Sequence, residues 1–251
     1  MNFKYNPSYI KYKTKLSKLI YQFDTIGTLF GNGDRNIIKT VDFEDKVLNI
    51  KSFKVPNLIN QIAYQYFRKS KARRSFEFAT ILREKGIGTP EPVAYFEFKN
   101  GLGFGNSFYI SEHESPDLTY RELVHQPDYP GHEEILRAFT RFTYNLHEHE
   151  VEFQDHSPGN TLIFVEEEDI KFSLVDLNRM KFKPLNFDQR MYNFRRLTPK
   201  KAMVEIMSDE YAKLIKKPKS EVFELMWEYT SEFQRKFHLK QKRKRKLKSL
   251  F

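Results

Sequence analysis

The spacing of apolar residues changes about halfway along this 251-residue chain. Alternating apolar and polar positions predict β-strands, and apolar positions three to four residues apart predict α-helices. The predicted strands lie at about 25–53, 92–113 and 161–182, and the predicted helices lie at about 58–85, 133–149 and 200–240. This order favours an α+β fold, with an N-terminal antiparallel sheet and one main helix followed by a mostly helical half.

Three polar residues near the start of the second half have a distinctive spacing. Four residues separate Asp155 from Asn160, and Asp176 follows an apolar segment that predicts a strand. Phosphotransferases with a protein-kinase-like fold use this spacing, because phosphoryl transfer depends mainly on positioned charge. Asp155 would orient the attacking hydroxyl and accept its proton, while Asn160 and Asp176 would hold Mg²⁺ against the phosphates of ATP. Surface turns also favour Asp, Pro, Gly and Asn, so this spacing indicates a kinase only if the other residues that a kinase requires lie upstream.

A lysine and a glutamate upstream occur in the order that such an enzyme requires. Lys51 lies late in a predicted strand, where a kinase keeps the lysine that contacts the α- and β-phosphates. A solvent-facing strand lysine is the alternative interpretation. Glu77 is the only acidic residue between Lys51 and Glu84, and it lies within a predicted amphipathic helix. We therefore predict that Glu77 pairs with Lys51 and fixes the position of its ammonium group.

Two glycines precede the predicted strand that begins at Ile37. Gly31 and Gly33 flank Asn32 in a polar segment that follows an apolar one. Glycine lets backbone N–H groups approach phosphate oxygens, so the pair predicts a loop that covers the nucleotide phosphates. The same Gly-x-Gly pattern also forms ordinary hairpins, and the third glycine of the usual nucleotide loop is missing.

The length and composition of the chain fit two lobes around a cleft. Its 24 Phe and 14 Tyr residues are sufficient for a sizeable core. We expect a nucleotide-binding lobe at 1–112, a catalytic lobe at 113–238 and a basic tail at 239–251, with a hinge at Ser111–Pro116. The sequence has no cysteine, so disulfides and thiolate metal sites are excluded. We expect neither a standard secretion signal nor a membrane-spanning segment.

Most of the net charge of +10 comes from the C-terminus, where residues 235–251 contain no acidic residue. The nine basic residues there are Arg235, Lys236, Lys240, Lys242, Arg243, Lys244, Arg245, Lys246 and Lys248. One interpretation is a solvated, disordered end. A nucleic-acid partner is not expected, because the rest of the chain is nearly neutral and has no recognisable nucleic-acid module. We favour contact with an anionic membrane, to which Leu239, Leu247, Leu250 and Phe251 would add shallow apolar contacts.

Several blocks of sequence, taken in order, resemble one family. They are Phe53–Asn60, Phe67–Ala72, Gly88–Pro92 and Asp176–Met180. Together they resemble the Kdo/WaaP-type lipopolysaccharide kinases over about residues 27–200. The resemblance implies an ATP- and Mg²⁺-dependent kinase that phosphorylates a core sugar, Kdo or heptose, of a Gram-negative envelope glycolipid. It also implies a cytoplasmic location at the inner face of the cytoplasmic membrane, and the roles given above for Lys51, Glu77, Asp155, Asn160 and Asp176.

Two positions depart from the usual kinase pattern. Phe153 stands where the catalytic loop normally has a histidine, and the metal motif at Asp176 reads Asp-Leu-Asn rather than Asp-Phe-Gly. No sequence resembling the activation segment of regulated protein kinases follows Asp176. This favours a small constitutive kinase that acts on a small molecule or a glycolipid.

Two other functions stay open as alternatives. A degenerate kinase fold that only binds a partner would fit Phe153 and the incomplete glycine loop. A metal-dependent hydrolase would use the segment His147-Glu148-His149-Glu150, whose residue types suit a metal ion. His147 and His149 lie two residues apart in a predicted helix and point in different directions, so a packing role is favoured for His147.

Three arginines are candidates for binding the acceptor. Arg179, Arg195 and Arg196 follow the metal motif and could pair with carboxylate or phosphate groups of an anionic sugar. For Arg195 and Arg196, structural salt bridges are an equally good interpretation.

Overall fold

The computed structural model describes residues 1–31, 36–54, 69–100, 103–167 and 169–248. The chain divides into two compact units. The N-terminal unit comprises Met1–Ser115 with Asp176–Asn178, and the C-terminal unit comprises Pro116–Val175 with Arg179–Phe251. The short segment Asp176–Asn178 therefore belongs to the N-terminal unit, although its neighbours in sequence belong to the other.

The described part of the N-terminal unit contains a six-stranded antiparallel sheet. Its strands are β1 (Asn2–Tyr5), β2 (Thr28–Leu29), β3 (Asn36–Phe43), β4 (Lys46–Phe53), β5 (Pro92–Asn100) and β6 (Gly103–Glu112). Hydrogen bonds join them in the order β1-β5-β6-β4-β3-β2. The strands predicted within 25–53 and 92–113 are confirmed. Strand β1 lies outside the predicted strands and pairs with β5 in the antiparallel sense.

Two helices, α1 (Lys13–Tyr21) and α2 (Lys71–Glu84), cover opposite faces of this sheet. On β4, Leu48 and Ile50 are fully buried in an apolar cluster that includes residues of α1. Phe53 packs instead with Phe76 of α2. Because successive strand residues point to opposite faces, Lys51 lies on the α2 face with Phe53. The predicted helix at 58–85 corresponds to α2, and residues 55–68 lie outside the described residues.

The C-terminal unit is mostly helical. Its helices are α3 (Tyr120–His125), α4 (His132–Glu148), α5 (Phe187–Phe194), α6 (Lys201–Ile215) and α7 (Lys219–Lys248). Two small antiparallel sheets accompany them. One contains β7 (Leu118–Thr119), β9 (Thr161–Val165) and β10 (Ile170–Leu174), and the other contains β8 (Val151–Phe153) and β11 (Met180–Phe182). The helices predicted at 133–149 and 200–240 and the strands predicted at 161–182 are confirmed, and with them the mixture of antiparallel sheet and helices.

The core of this unit forms between α4 and α6. Leu136 and Phe139 of α4 are fully buried in one apolar cluster with Met207 and Tyr211 of α6. Strand β8 ends beside this core, and the ring of Phe153 is fully buried. The loop that follows β8 carries Asp155, so the core fixes the start of that loop.

The last helix continues through the segment that we expected to form a separate tail. Helix α7 is 30 residues long, and residues 235–247 are exposed along it. Lys, Arg, Gln and Leu favour helix, and the sequence of α7 after Lys219 contains neither Gly nor Pro, so nothing local ends the helix at 239. Leu250 and Phe251 lie outside the described residues. None of the helices that the structure describes has the apolar length that a bilayer crossing requires.

Candidate functional site

The lysine of the predicted site lies on β4 in the N-terminal unit. Its ammonium nitrogen lies 2.6 Å from Oδ1 of Asp176. The Lys51 side chain is only 14% exposed, and its ammonium lies 5.4 Å from the centroid of the Phe53 ring. A mostly buried ammonium group requires a nearby negative charge, and Asp176 supplies it. The fold thus brings together two predicted site residues that are 125 positions apart in sequence.

The backbone at Asp176 has an unusual conformation that neighbouring residues hold in place. Its φ is 59°, in the left-handed region that few residues other than glycine occupy, although Asp tolerates it better than most. Asn178 donates from Nδ2 to Asp176 Oδ1 over 2.8 Å, and Arg74 of α2 donates to the Asn178 carbonyl over 2.8 Å. Lys51 and Asn178 both reach Oδ1, so among the described contacts Oδ2 stays open to a cation.

The predicted ion pair between Lys51 and Glu77 is absent from the described contacts. Glu77 accepts hydrogen bonds from Lys69 over 2.7 Å and from Arg73 over 2.9 Å. Arg73 lies one helical turn before Glu77, so the two side chains meet on the surface of α2. Burial alone would raise the pKa of Glu77, but the hydrogen bonds from these two cations outweigh burial and lower the pKa. The stretch around Glu77 is poor in acids but rich in basic residues, so Glu77 pairs with the neighbouring Lys69 and Arg73. Lys51 pairs with Asp176 instead.

The structure describes only one of the two glycines of the predicted phosphate loop. Gly31 follows β2 with a φ of 79°, a left-handed conformation that glycine adopts without strain. Gly33 lies outside the described residues. The loop therefore stays a prediction.

In the C-terminal unit, the segment from Asp155 to Asn160 forms a closed loop between β8 and β9. Asn160 donates from Nδ2 to the Asp155 carbonyl over 2.8 Å, and its backbone N–H donates to the Ser157 carbonyl over 2.9 Å. The N–H of Val175, just after β10, donates to the Asn160 carbonyl over 3.0 Å. Because a carbonyl can only accept, these contacts fix the orientation of the Asn160 amide. Its Oδ1 takes no hydrogen bond from the described residues and can therefore accept a cation.

Arg196 holds the carboxylate of Asp155. Its Nη1 lies 2.5 Å from Asp155 Oδ1 and also donates to the Gln154 carbonyl over 3.4 Å. The guanidinium carbon of Arg196 lies 5.6 Å from the centre of the Phe233 ring on α7. Of the two interpretations that the sequence left open for Arg196, the structure shows the salt bridge. One oxygen of Asp155 is thus occupied, and the described contacts leave Oδ2 open.

The other two candidate arginines have different surroundings. The guanidinium of Arg195 stacks 3.6 Å from the centre of the Tyr192 ring and donates to the Tyr192 carbonyl over 2.7 Å. Burial lowers the pKa of Arg195 from its usual value, and the charge of Arg196 adds to this effect. Arg179 is exposed, and its carbonyl accepts from the N–H of Gln154 over 3.1 Å.

A chain of buried hydrogen bonds supports the backbone just before Asp155. Asn193 donates from Nδ2 to the Phe153 carbonyl over 2.9 Å, and its Oδ1 lies 3.3 Å from Nε2 of His147. Nδ1 of His147 lies 2.7 Å from the hydroxyl of Tyr211. Since Oδ1 can only accept, Nε2 of His147 carries the proton and Nδ1 accepts from Tyr211. The position that usually holds a histidine is thus a buried Phe153 whose carbonyl is anchored from α5.

This chain of bonds was not visible in the sequence. His147 was expected to have a packing and hydrogen-bonding role, and the structure confirms this. Asn193 and Tyr211 have no local pattern that marks them, because they meet His147 across 46 and 64 positions of sequence.

The histidines do not form a metal site in the part of the chain that the structure describes. His147 is buried, whereas His149 bonds through Nδ1 to the Asn145 carbonyl at 2.9 Å on the surface. Among the described residues, no group of three or more His, Cys, Asp or Glu side chains is arranged to hold a metal ion. The geometry therefore gives no support to a hydrolase that uses this segment.

Comparisons with known proteins agree with the resemblance seen in the sequence. A family model described as the lipopolysaccharide kinase (Kdo/WaaP) family matches residues 32–242. The solved structure "WaaP in complex with acyl carrier protein" is similar to this chain, with a TM-score of 0.63 at 15% sequence identity. The similarity covers 94% of this chain and 98% of that one, and at this identity it concerns the fold alone. A search of curated protein sequences gave no match.

Two buried histidines should make the stability of the C-terminal unit depend on pH. Burial lowers the pKa of His147 and of His156 from 6.5 to about 3, so both are neutral in the folded chain at pH 7. In the unfolded chain each binds a proton near pH 6.5, so acid favours unfolding. We expect the free energy of unfolding to fall as the pH drops below 6.5, by up to about 1.4 kcal/mol per pH unit for each histidine. Urea unfolding between pH 7.5 and 5.5 measures this slope.

Variants separate these two histidines from other titrating groups. The centroid of the His156 ring lies 5.3 Å from that of Phe139 and 5.6 Å from that of Phe153, so the aromatic His156→Phe should fit the site. Because phenylalanine binds no proton, this variant should lack the contribution of His156 to the slope of the unfolding free energy against pH. His125→Gln, at an exposed position of the same unit, serves as the control, because the slope due to His147 and His156 is retained in it. An unchanged slope in His156→Phe would show that His156 does not remain neutral in the folded chain.

Proposed function

Because the chain belongs to the lipopolysaccharide kinase (Kdo/WaaP) family, we propose that it transfers the γ-phosphoryl group of ATP to a hydroxyl of Kdo or heptose in the lipopolysaccharide core. The observation that best supports this proposal is the ion pair between Lys51 and Asp176. It joins a lysine on a strand and an aspartate after a strand, the two charges that a kinase uses at the phosphates. No pattern of neighbouring residues alone would place these two side chains together.

The oxygen donors of the proposed site suit Mg²⁺. This ion prefers hard oxygen ligands, and in kinases one or two protein side chains hold it together with the phosphates. Asp176 offers Oδ2 and Asn160 offers its amide oxygen, and the described residues donate to neither atom. When bound, Mg²⁺ would neutralise the charge of the phosphate oxygens during transfer.

Asp155 is the general base in this proposal. Arg196 occupies its Oδ1, so Oδ2 is the oxygen that accepts the proton of the acceptor hydroxyl. As that proton leaves, the hydroxyl oxygen bonds to the γ-phosphorus, the bond to the β–γ bridging oxygen breaks, and ADP is released. Lys51 contacts the α- and β-phosphates, while Gly31 and Gly33 cover them. Each of these roles is carried by a residue of this chain that was identified in the sequence.

Glu77 keeps a conditional role in the proposed site. A divalent cation on Oδ2 of Asp176 would draw on the same negative charge that Lys51 uses through Oδ1, so Lys51 would then gain from a second carboxylate. We therefore assign Glu77 as the carboxylate that holds Lys51 when Asp176 binds Mg²⁺. This exchange requires Glu77 to leave Arg73, its partner on α2.

The two compact units correspond, in this proposal, to the two lobes of a protein-kinase-like fold. The N-terminal unit binds the nucleotide, and the C-terminal unit carries the catalytic loop. The anchoring of the Phe153 carbonyl by Asn193 supports an active enzyme over a degenerate fold, because the backbone before Asp155 is held without the usual histidine. The degenerate alternative predicts no phosphoryl transfer to any acceptor.

The exposed basic end of α7 is proposed to contact the anionic inner face of the cytoplasmic membrane. From residue 239 to 248 it carries seven Lys and Arg side chains and no acidic one. A glycolipid acceptor is presented at a membrane surface, where each basic residue contributes about 1 kcal/mol before screening by salt. Like charges repel along an isolated helix, so an anionic surface would also stabilise this end of α7.

Replacing the proposed base tests the catalytic assignment. Asp155→Asn should retain the fold and ATP binding but lower kcat by roughly 10²–10⁴-fold, because it removes general-base catalysis. The control is Asp128→Asn, which changes an exposed carboxylate of the same unit and should leave kcat unchanged. Transfer kinetics with a core-sugar fragment give the result, and normal transfer by Asp155→Asn would refute the assignment.

The role of Glu77 is tested by a double-mutant cycle with Lys51. Glu77→Gln should lower kcat by roughly 10-fold, while the exposed Glu84→Gln at the end of α2 should have no effect. In the Lys51→Met background, Glu77→Gln should cause no further loss, because the two residues act as a pair. Independent, additive losses would show that Glu77 does not act through Lys51.

The membrane proposal is tested by removing charge while keeping the helix. Replacing Lys240, Lys242, Lys244 and Lys246 by Gln should weaken association with phosphatidylglycerol vesicles more than 10-fold at low salt, with a smaller effect at high salt. Activity on a soluble core-sugar fragment should be unchanged, as it should be after deletion of 239–251. Unchanged vesicle binding would leave the end of α7 as a solvated helix, and charge-dependent binding to RNA but not to vesicles would favour a nucleic-acid partner.

A further inference from the structure

An arginine on α3 lies against the loop that carries Asp155. A Cβ atom built on Gly159 would lie 2.6 Å from Nη2 and 3.4 Å from Cζ of Arg121. Gly159 belongs to the closed loop between Asp155 and Asn160, and any larger side chain there would require the guanidinium to shift from this position. The φ of Gly159 lies outside the left-handed region, so backbone conformation does not require glycine. The guanidinium of Arg121 thus lies directly against the backbone of Gly159.

The guanidinium of Arg121 has no carboxylate partner among the described residues. Four other arginines of the C-terminal unit form salt bridges: Arg137, Arg141, Arg190 and Arg196. The acidic neighbour Glu122 is occupied by a capping box, in which it accepts from the N–H of Thr119 over 2.7 Å and from its hydroxyl over 2.5 Å. Arg121 is exposed and forms no salt bridge with a described residue, so its planar guanidinium faces solvent beside the loop, with the Glu122 charge nearby.

We infer that Arg121 binds an anionic group of the acceptor and so places the acceptor hydroxyl at Asp155. A guanidinium recognises carboxylate and phosphate groups with two parallel hydrogen bonds, which fixes orientation as well as position. The inference rests on the proposed function, in which the acceptor is a core sugar. Kdo carries a carboxylate and heptose can carry a phosphate, and both present the same chemistry to Arg121. The arginine determines specificity and takes no part in the transfer of the proton.

The test compares Arg121→Gln with Arg141→Gln, which removes the same charge from an exposed site on α4. Arg121→Gln should raise KM for the acceptor by about 10- to 100-fold, with kcat and KM for ATP little changed, because a charged hydrogen-bonded pair is lost. Arg121→Lys should have an intermediate KM. Calorimetry without ATP should show that the acceptor binds Arg121→Lys more weakly than the wild-type chain, and Arg121→Gln more weakly still.

Gly159→Ala provides a second, independent variant. Its methyl group would displace the guanidinium, so it should raise KM for the acceptor, and the double variant with Arg121→Gln should be no worse than Arg121→Gln alone. Acceptors with the carboxylate reduced, or with the phosphate removed, identify the group. The group that binds Arg121 is the one whose removal from the acceptor gives the wild-type chain and Arg121→Gln the same acceptor KM.

The outcomes separate this inference from the proposed function. Wild-type transfer with an unchanged acceptor KM in Arg121→Gln would overturn the inference and leave the kinase assignment intact. A wild-type chain that transfers phosphate to no core sugar would overturn both. An equal rise in acceptor KM in Arg121→Gln and Arg141→Gln would also overturn the inference, because it would reflect only the loss of one positive charge.

Discussion

The ion pair between Lys51 and Asp176 is the interaction on which the N-terminal unit and the proposed chemistry both depend. A strand lysine that is only 14% exposed would be costly without a partner, and the nearest carboxylate comes from 125 positions along the chain. Asn178 also donates to this carboxylate, and Arg74 of α2 holds the Asn178 carbonyl, so the segment that carries the charge is fixed from α2 as well as from β4. The left-handed backbone at Asp176 is strain of the kind that structures retain at functional positions.

The loop that carries Asp155, the proposed base, is held by different contacts. A buried chain of neutral hydrogen bonds from Tyr211 through His147 and Asn193 anchors the Phe153 carbonyl, and Arg196 fixes one oxygen of Asp155. Polar groups inside a core stabilise a unique arrangement only when each has a partner. In this series of hydrogen bonds, each of the two middle side chains, His147 and Asn193, accepts one bond and donates the next. In this chain, Asn193 of α5 thus binds the backbone just before Asp155, at the position where the proposed catalytic loop lacks the usual histidine.

The sequence was sufficient for the elements with strong local patterns and for the family. The hairpin of β3 and β4 and the helix α4 follow from the period of their apolar residues, and the family follows from ordered blocks that a family model confirms. The sequence was insufficient to predict which side chains form hydrogen bonds or ion pairs with each other, because many of these partners come from distant elements. The sequence did not indicate that Glu77 contacts Lys69 and Arg73, and the contact of Arg121 with Gly159 has no signature in either segment. Strand β1 was missed because its four residues are too short for a period to show.

The central claim is that this chain moves phosphate from ATP to a core sugar. The most direct measurement is mass spectrometry of lipopolysaccharide core after incubation of the purified chain with Mg²⁺ and ATP labelled at the γ-phosphate. The account predicts that one labelled phosphate appears on a Kdo or heptose residue of the inner core. Label that is found only in ATP or in inorganic phosphate, with every core acceptor offered, would contradict it.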